Sequence, residues 1–139
     1  MNNNRATFPK NERLYQKHLM EMLFQKGLSF VAYPLRVIYY PIENVLASLK
    51  PSHTVALNTP ISVLISIPKK KIKHAVDRNY IKRRIRESYR LRKYELASLI
   101  SEKDTQFLLA FIYLSEEKSS FKKIDQAMSK AIQRLVVSD

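Results

Sequence analysis

The 139-residue chain has no cysteine and a single glycine. Without cysteine there is no disulfide framework, no thiolate-ligated zinc and no thiol nucleophile. One glycine, Gly27, excludes a glycine-rich phosphate loop of the Walker or dinucleotide-binding kind. Long hydrophobic runs are missing too: the longest, Phe107 to Leu114, is far short of the roughly 20 residues that cross a bilayer. The first ten residues lack the apolar stretch of a signal peptide. Acidic residues are scarce, with 12 Asp and Glu against 25 Lys and Arg, for a formal charge of +13. Apolar residues make up 45% of the chain, enough for a core and too many for a disordered basic tail. A charge of that size raises the self-repulsion of a small fold, so a polyanion is the expected partner. These features describe a single cytoplasmic nucleic-acid-binding domain over 1–139, with no membrane and no obligate protein partner.

Periodicity predicts the elements. Residues 1–8 are expected to be disordered. Asn11 to Lys26 reads as a helix, with Tyr15, Leu19, Met22 and Leu23 at helical spacing and Gly27 as its C-terminal stop. Leu28 to Tyr40 reads as a strand, broken near Pro34. Prolines 41, 51 and 60 punctuate a connection over 41–60, with a short helical turn around Val45 to Leu49. Ile61 to Ile67 is an uncharged strand that reads as buried on both faces. A basic helix follows, Leu96 to Ile100 continues it, and Gln106 to Leu114 is a third strand. Phe121, Ile124, Met128, Ala131 and Leu135 then mark an amphipathic helix capped by Ser119 or Ser120. The predicted class is α+β, an α/β sandwich of order α-β-β-α-β-α. In its small mixed sheet a βαβ crossover carries the basic helix, and the first two strands pair antiparallel.

The charge is concentrated. Between Lys69 and Lys93, 12 cations face only Asp77 and Glu87. On a wheel of about 100° per residue, Ile81, Ile85 and Tyr89 share one side and should anchor the helix. Asn79, Lys82, Arg83, Arg86 and Arg90 fall in an adjoining arc with almost no interleaved carboxylate, so nothing within the chain is expected to receive them. Lys70, Lys71 and Arg78 extend the same basic region. Arginine suits phosphate because its planar fork bonds two oxygens, while asparagine can donate and accept. A merely solubilising face would not need one sign gathered on one helix.

The run Ala75-Val76-Asp77-Arg78-Asn79-Tyr80-Ile81-Lys82-Arg83, continuing to Arg86-Glu87, resembles the Arg-Asn-Arg motif of the bacterial ribonuclease P protein subunits. Lys10 to Leu14, Phe24 to Gly27, Leu35 to Tyr39 and the passage into Lys69 to Lys71 resemble other parts of that family's pattern, over roughly Pro9 to Val136. Two positions depart from it: Lys73 stands where the family has glycine, implying a different turn into the helix, and Tyr80 stands where it has a second arginine. The resemblance implies a fold like the second domain of a small-subunit ribosomal protein. It also implies that the chemistry belongs to a catalytic RNA, which holds most of the Mg²⁺ and removes the 5′ leader of precursor tRNA. The protein would bind that RNA through the basic helix and the leader in a cleft between the first helix and the sheet. Met20, Phe24, Arg36 and Tyr39 are the expected cleft residues, with core packing of Phe24 and Tyr39 as the alternative.

Nothing else in the chain points to an autonomous active site. His18, His53 and His74 are scattered without ligand spacing and read as surface histidines. Glu116 and Glu117 read as a solvated turn more readily than as metal neighbours. No serine has a nucleophile elbow or a partnered histidine. Neither catalytic nor metal-ligating residues are therefore expected. A non-enzymatic, ribosomal-type RNA-binding protein is the competing reading, although it would need no fixed order of basic residues. A helix-turn-helix DNA reader would need a short helix where Ile61 to Ile67 reads as strand.

Overall fold

A computed structural model describes residues 17–43, 61–96 and 105–137. Helix α1 (Lys17–Lys26) leads into strands β1 (Leu28–Ala32) and β2 (Leu35–Glu43). Strand β3 (Ile61–Ser66), helix α2 (Ala75–Arg92), strand β4 (Thr105–Tyr113) and helix α3 (Phe121–Val137) complete the described elements. The expectations for 1–8, for Asn11 to Gln16 and for the helical turn near Val45 lie outside the described residues, as does the continuation beyond Leu96.

The four strands form one sheet in the order β1-β2-β4-β3. β1 and β2 are antiparallel, β2 and β4 are antiparallel, and β3 runs parallel to β4. The crossover β3-α2-β4 therefore has the expected parallel sense. Two expectations are corrected. Leu28 to Tyr40 is not one strand but a hairpin, turning through Tyr33 and Pro34, whose peptide bond is cis. The strand before the 41–60 region does not pair with β3, because β4 inserts between them. β4 is apolar on both faces, and burial of Leu108 and Ala110 as well as Leu109 and Phe111 fits only a central place. β3 in turn is an edge strand: Ser62 is buried while Leu64 and Ser66 on the same face are only half-buried, so that face is covered in part. Pro41 lies inside β2, beyond the last residue pair with β1, where a missing N–H breaks no ladder on that side.

Alternation along the strands builds two apolar layers. Leu35 and Val37, with Ile61, Val63, Ile65, Leu109, Phe111 and Tyr113, face α2 and α3 in the main core. α3 contributes Ile124, Ala127, Met128, Ala131, Ile132 and Leu135, all buried at spacings of three and four. Ser120 is its cap, accepting from Lys123 N–H at 3.2 Å. On the other side, Ile38, Leu108 and Ala110 meet Leu19 and Leu23 of α1 in a smaller cluster.

Gly27 stands where α1 meets the sheet. Its N–H donates to the Leu23 carbonyl at 2.8 Å. A Cβ there would collide with that carbonyl oxygen, lie 2.8 Å from Ile38 Cγ2 and 3.1 Å from the Tyr39 carbonyl. Close approach of helix to strand, with no positive φ, explains the one glycine. Gly27→Ala should cost about 1–3 kcal/mol by overpacking, read as a lower urea midpoint. An unchanged midpoint would mean that α1 does not pack this closely.

Candidate nucleic-acid interface

α2 is a helix with its apolar row turned inward. Ile81, Ile85 and Tyr89 are fully buried against the main core, as expected, and Leu96 closes a further turn on the Lys93 carbonyl. Ahead of it, Lys71 and Ile72 N–H groups donate to the Pro68 carbonyl, and buried Ile72 anchors the turn. This leaves Lys69 and Lys70 exposed and Lys71 half-buried.

The sequence-predicted RNA-binding residues of α2 divide into three groups. Asn79, Lys82 and Arg83 are exposed, and among the described residues no carboxylate pairs with Lys82 or Arg83. Arg86 is half-buried beside them. Arg90 departs from expectation: its Nε and Nη2 donate to both oxygens of Glu87, at 2.9 and 2.6 Å. That fork holds the Glu87 carboxyl below its ordinary range and the Arg90 guanidinium above its own. A spacing of three on one helix brings the two together, so Arg90 does have a receiver inside the protein. Arg78 is also employed internally. Its Nη1 donates to the carbonyls of Ile72 (3.0 Å) and Lys73 (2.7 Å), tying the basic turn to the first turn of α2.

A clamp between α2 and α3 was not visible in the sequence. Arg92 donates through Nε and Nη2 to the Asp125 carboxylate at 3.0 and 2.8 Å, and buried Ser88 Oγ donates to Asp125 Oδ1 at 2.7 Å. Hydrogen bonding from Arg92, against the opposing effect of burial and with help from Ser88, holds the Asp125 carboxyl below its ordinary value. The partners are 33 residues apart in the chain, so only the tertiary fold could reveal them.

The expected cleft residues fall on different faces. Met20 is half-buried against the α1 cluster, and Phe24 is 49% exposed at the end of the helix. Tyr39 does not join them. It packs on the main core, its ring edge-on to Phe30 at 6.0 Å, so for this residue core packing holds. Its neighbour Tyr40 takes the α1 side with Met20. α1 covers only one end of that face. At the other, Ser66, Ile112, Arg36 and Val31 form a row across all four strands, and none of the four is buried. Arg36 thus sits in an open apolar-and-polar strip beside α1.

Among the described residues no three His, Asp or Glu side chains gather into a metal-binding group. His18 and His74 are exposed, Glu116 and Glu117 lie on an exposed turn, and His53 is outside the described residues.

The family model for ribonuclease P matches residues 8–136. The chain belongs to the ribonuclease P protein family. The ribonuclease P protein component of Porphyromonas gingivalis strain W83 is 37% identical over 126 residues, covering 91% of this chain and 84% of that protein. The fold agrees with solved ribonuclease P proteins. That of Staphylococcus aureus matches with a TM-score of 0.63 at 19% identity, over 92% of this chain and 98% of the other. That of Thermotoga maritima matches at 0.62 and 20%, over 88% and 96%. In this ribonuclease P family member the Tyr80 ring lies beneath Arg84, while the Arg78 bond at Lys73 uses only the backbone carbonyl, which any residue supplies.

The Asp125 clamp predicts an acid dependence. Its folded pKa lies below the ordinary 3.8, so its contribution is complete above about pH 4 and disappears as pH falls through the lowered value. Asp125→Asn should cost about 1–2 kcal/mol at neutral pH. Denaturant titrations of both proteins should converge as pH falls below the ordinary carboxylate range. A gap that stayed constant with pH would mean that the carboxylate charge is not what Arg92 and Ser88 hold.

Proposed function

We propose that this chain is the RNA-docking subunit of a ribonuclease P that removes the 5′ leader of precursor tRNA in the cytoplasm. The observation that carries the reading is the exposed flank of α2. Asn79, Lys82 and Arg83 share it, a buried Ile81-Ile85-Tyr89 row holds it, and no described carboxylate neutralises its two cations. Like charges so placed lower their repulsion by taking up phosphates and releasing the counterions that surround them. The catalytic RNA is the partner of this flank, with Lys70 and Lys71 extending it and half-buried Arg86 bordering it. Arg78 supports it from behind, and Arg90 contributes less because Glu87 already occupies its fork.

Precursor tRNA is the second partner. Its unpaired leader lies along the strip of Val31, Arg36, Ile112 and Ser66 and reaches Phe24 and Met20 on α1. An exposed ring beside cations suits stacking of unpaired bases. Tyr40 replaces Tyr39 in this group. Hydrolysis belongs to the RNA, and the mature tRNA keeps a 5′-phosphate. Mg²⁺ is assigned mainly to the RNA as well. No helix among the described residues is long and apolar enough to cross a membrane.

Reconstitution tests the reading. RNA-free protein should leave precursor tRNA uncut at physiological Mg²⁺ and restore processing to the cognate catalytic RNA. Cleavage by the protein alone, or no effect on the RNA, would refute it. Binding over a salt series separates the cations. Lys82→Ala and Arg83→Ala should each flatten the log–log salt dependence by about one phosphate contact, and Arg90→Ala should change it by less. Equal slopes for wild type, Lys82→Ala and Arg83→Ala would remove the flank from the interface.

A further inference from the structure

We propose that Arg84 makes a further phosphate contact on α2 and that Tyr80 is the residue that positions it. The inference rests on the RNA-docking reading and extends it to the opposite side of the basic flank. On the helix Tyr80 lies about 60° and Arg84 about 100° around from Arg83, beyond Glu87 at about 40°, whose carboxylate is already held by Arg90.

The Arg84 guanidinium carbon stands 3.8 Å from the centroid of the Tyr80 ring. Lys118 Nζ lies 5.1 Å from the same centroid and 3.2 Å from Asp77 Oδ1. One ring therefore collects a guanidinium from its own helix and an ammonium from the turn after β4. That turn is well held: the buried Tyr113 hydroxyl donates to the Glu117 carbonyl and accepts from Ser119 N–H at 3.0 Å, while Glu117 N–H donates to Ser115 Oγ at 3.0 Å. Lys118 is thus brought to the ring by the fold.

Charge separates the two cations. Asp77 neutralises Lys118, whereas no carboxylate among the described residues pairs with Arg84. A guanidinium lying on a ring keeps its N–H edge available, and that edge is what bonds two phosphate oxygens at once. Stacking also removes rotamer freedom before the RNA arrives, so less is lost on binding. Tyr80 acts through Arg84, and only the face of its ring is required.

The test uses the full chain and a refolded transcript of its cognate catalytic RNA, with affinity measured across a salt series. Arg84→Gln should flatten the log–log slope by about one. Tyr80→Leu should weaken binding about 2- to 5-fold, while Tyr80→Phe, which keeps the ring, should bind as wild type. Both positions reach the surface, so the variants should fold, and their thermal transitions verify it. If Arg84→Gln keeps the wild-type slope while Arg83→Ala flattens it, the Arg84 contact is overturned and the docking flank stands. Equal affinity of Tyr80→Leu and Tyr80→Phe overturns the positioning role. Unchanged slopes in both arginine variants overturn the flank and this contact together.

Discussion

Everything the basic helix can do depends on the burial of Ile81, Ile85 and Tyr89. Cations three and four residues apart on one flank repel one another by a few tenths of a kcal/mol per pair. Each large side chain buried beneath them contributes about 1.5–3 kcal/mol. Burial therefore wins by a wide margin, and the helix forms with its charges still gathered. Arg78 and Arg92 reinforce the anchor at the two ends of α2, one gripping the carbonyls of the preceding turn and the other the Asp125 carboxylate of α3. The two arginines that hold the helix are thereby distinct in role from Lys82 and Arg83, which are held out by it.

The sheet solves a second problem with the same alternation. Its inner face is closed by α2 and α3, while α1 covers only part of the outer face. Because β4 is central and β3 lies at the edge, small side chains such as Ser66 come level with Ile112, Arg36 and Val31 in a row that no described helix buries. An open strip beside an exposed phenylalanine follows from where α1 stops. Gly27 decides that place, since a side chain there would push the helix away from Ile38 and Tyr39.

Local periodicity was enough for α2 and α3, because each has one strongly apolar side and a polar surround, and the uncharged runs of β3 and β4 flanking α2 marked the parallel unit. It failed where both sides of an element are apolar. Val37, Ile38, Tyr39 and Tyr40 read the same in either register, so nothing local distinguishes the tyrosine that faces α1 from the one that meets Phe30. Pro34 announced the break in this strand, but the reversal into a hairpin was hidden because the turn uses Tyr33 and Pro34, with neither glycine nor asparagine. The pairing of Arg90 with Glu87 was available from spacing but was outweighed by the count of cations. The Ser88–Asp125–Arg92 group joins elements far apart in sequence, and no local pattern encodes such a contact.

The central position of β4 also sets the order in which the molecule can come into being on the ribosome. β2 and β3 share no ladder, and both wait for the same late strand. A nascent chain that has emerged only through α2 holds the β1–β2 hairpin and a basic segment with no completed sheet to lie against. The cationic surface therefore gains the sheet that supports it only once β4 has been added between β2 and β3.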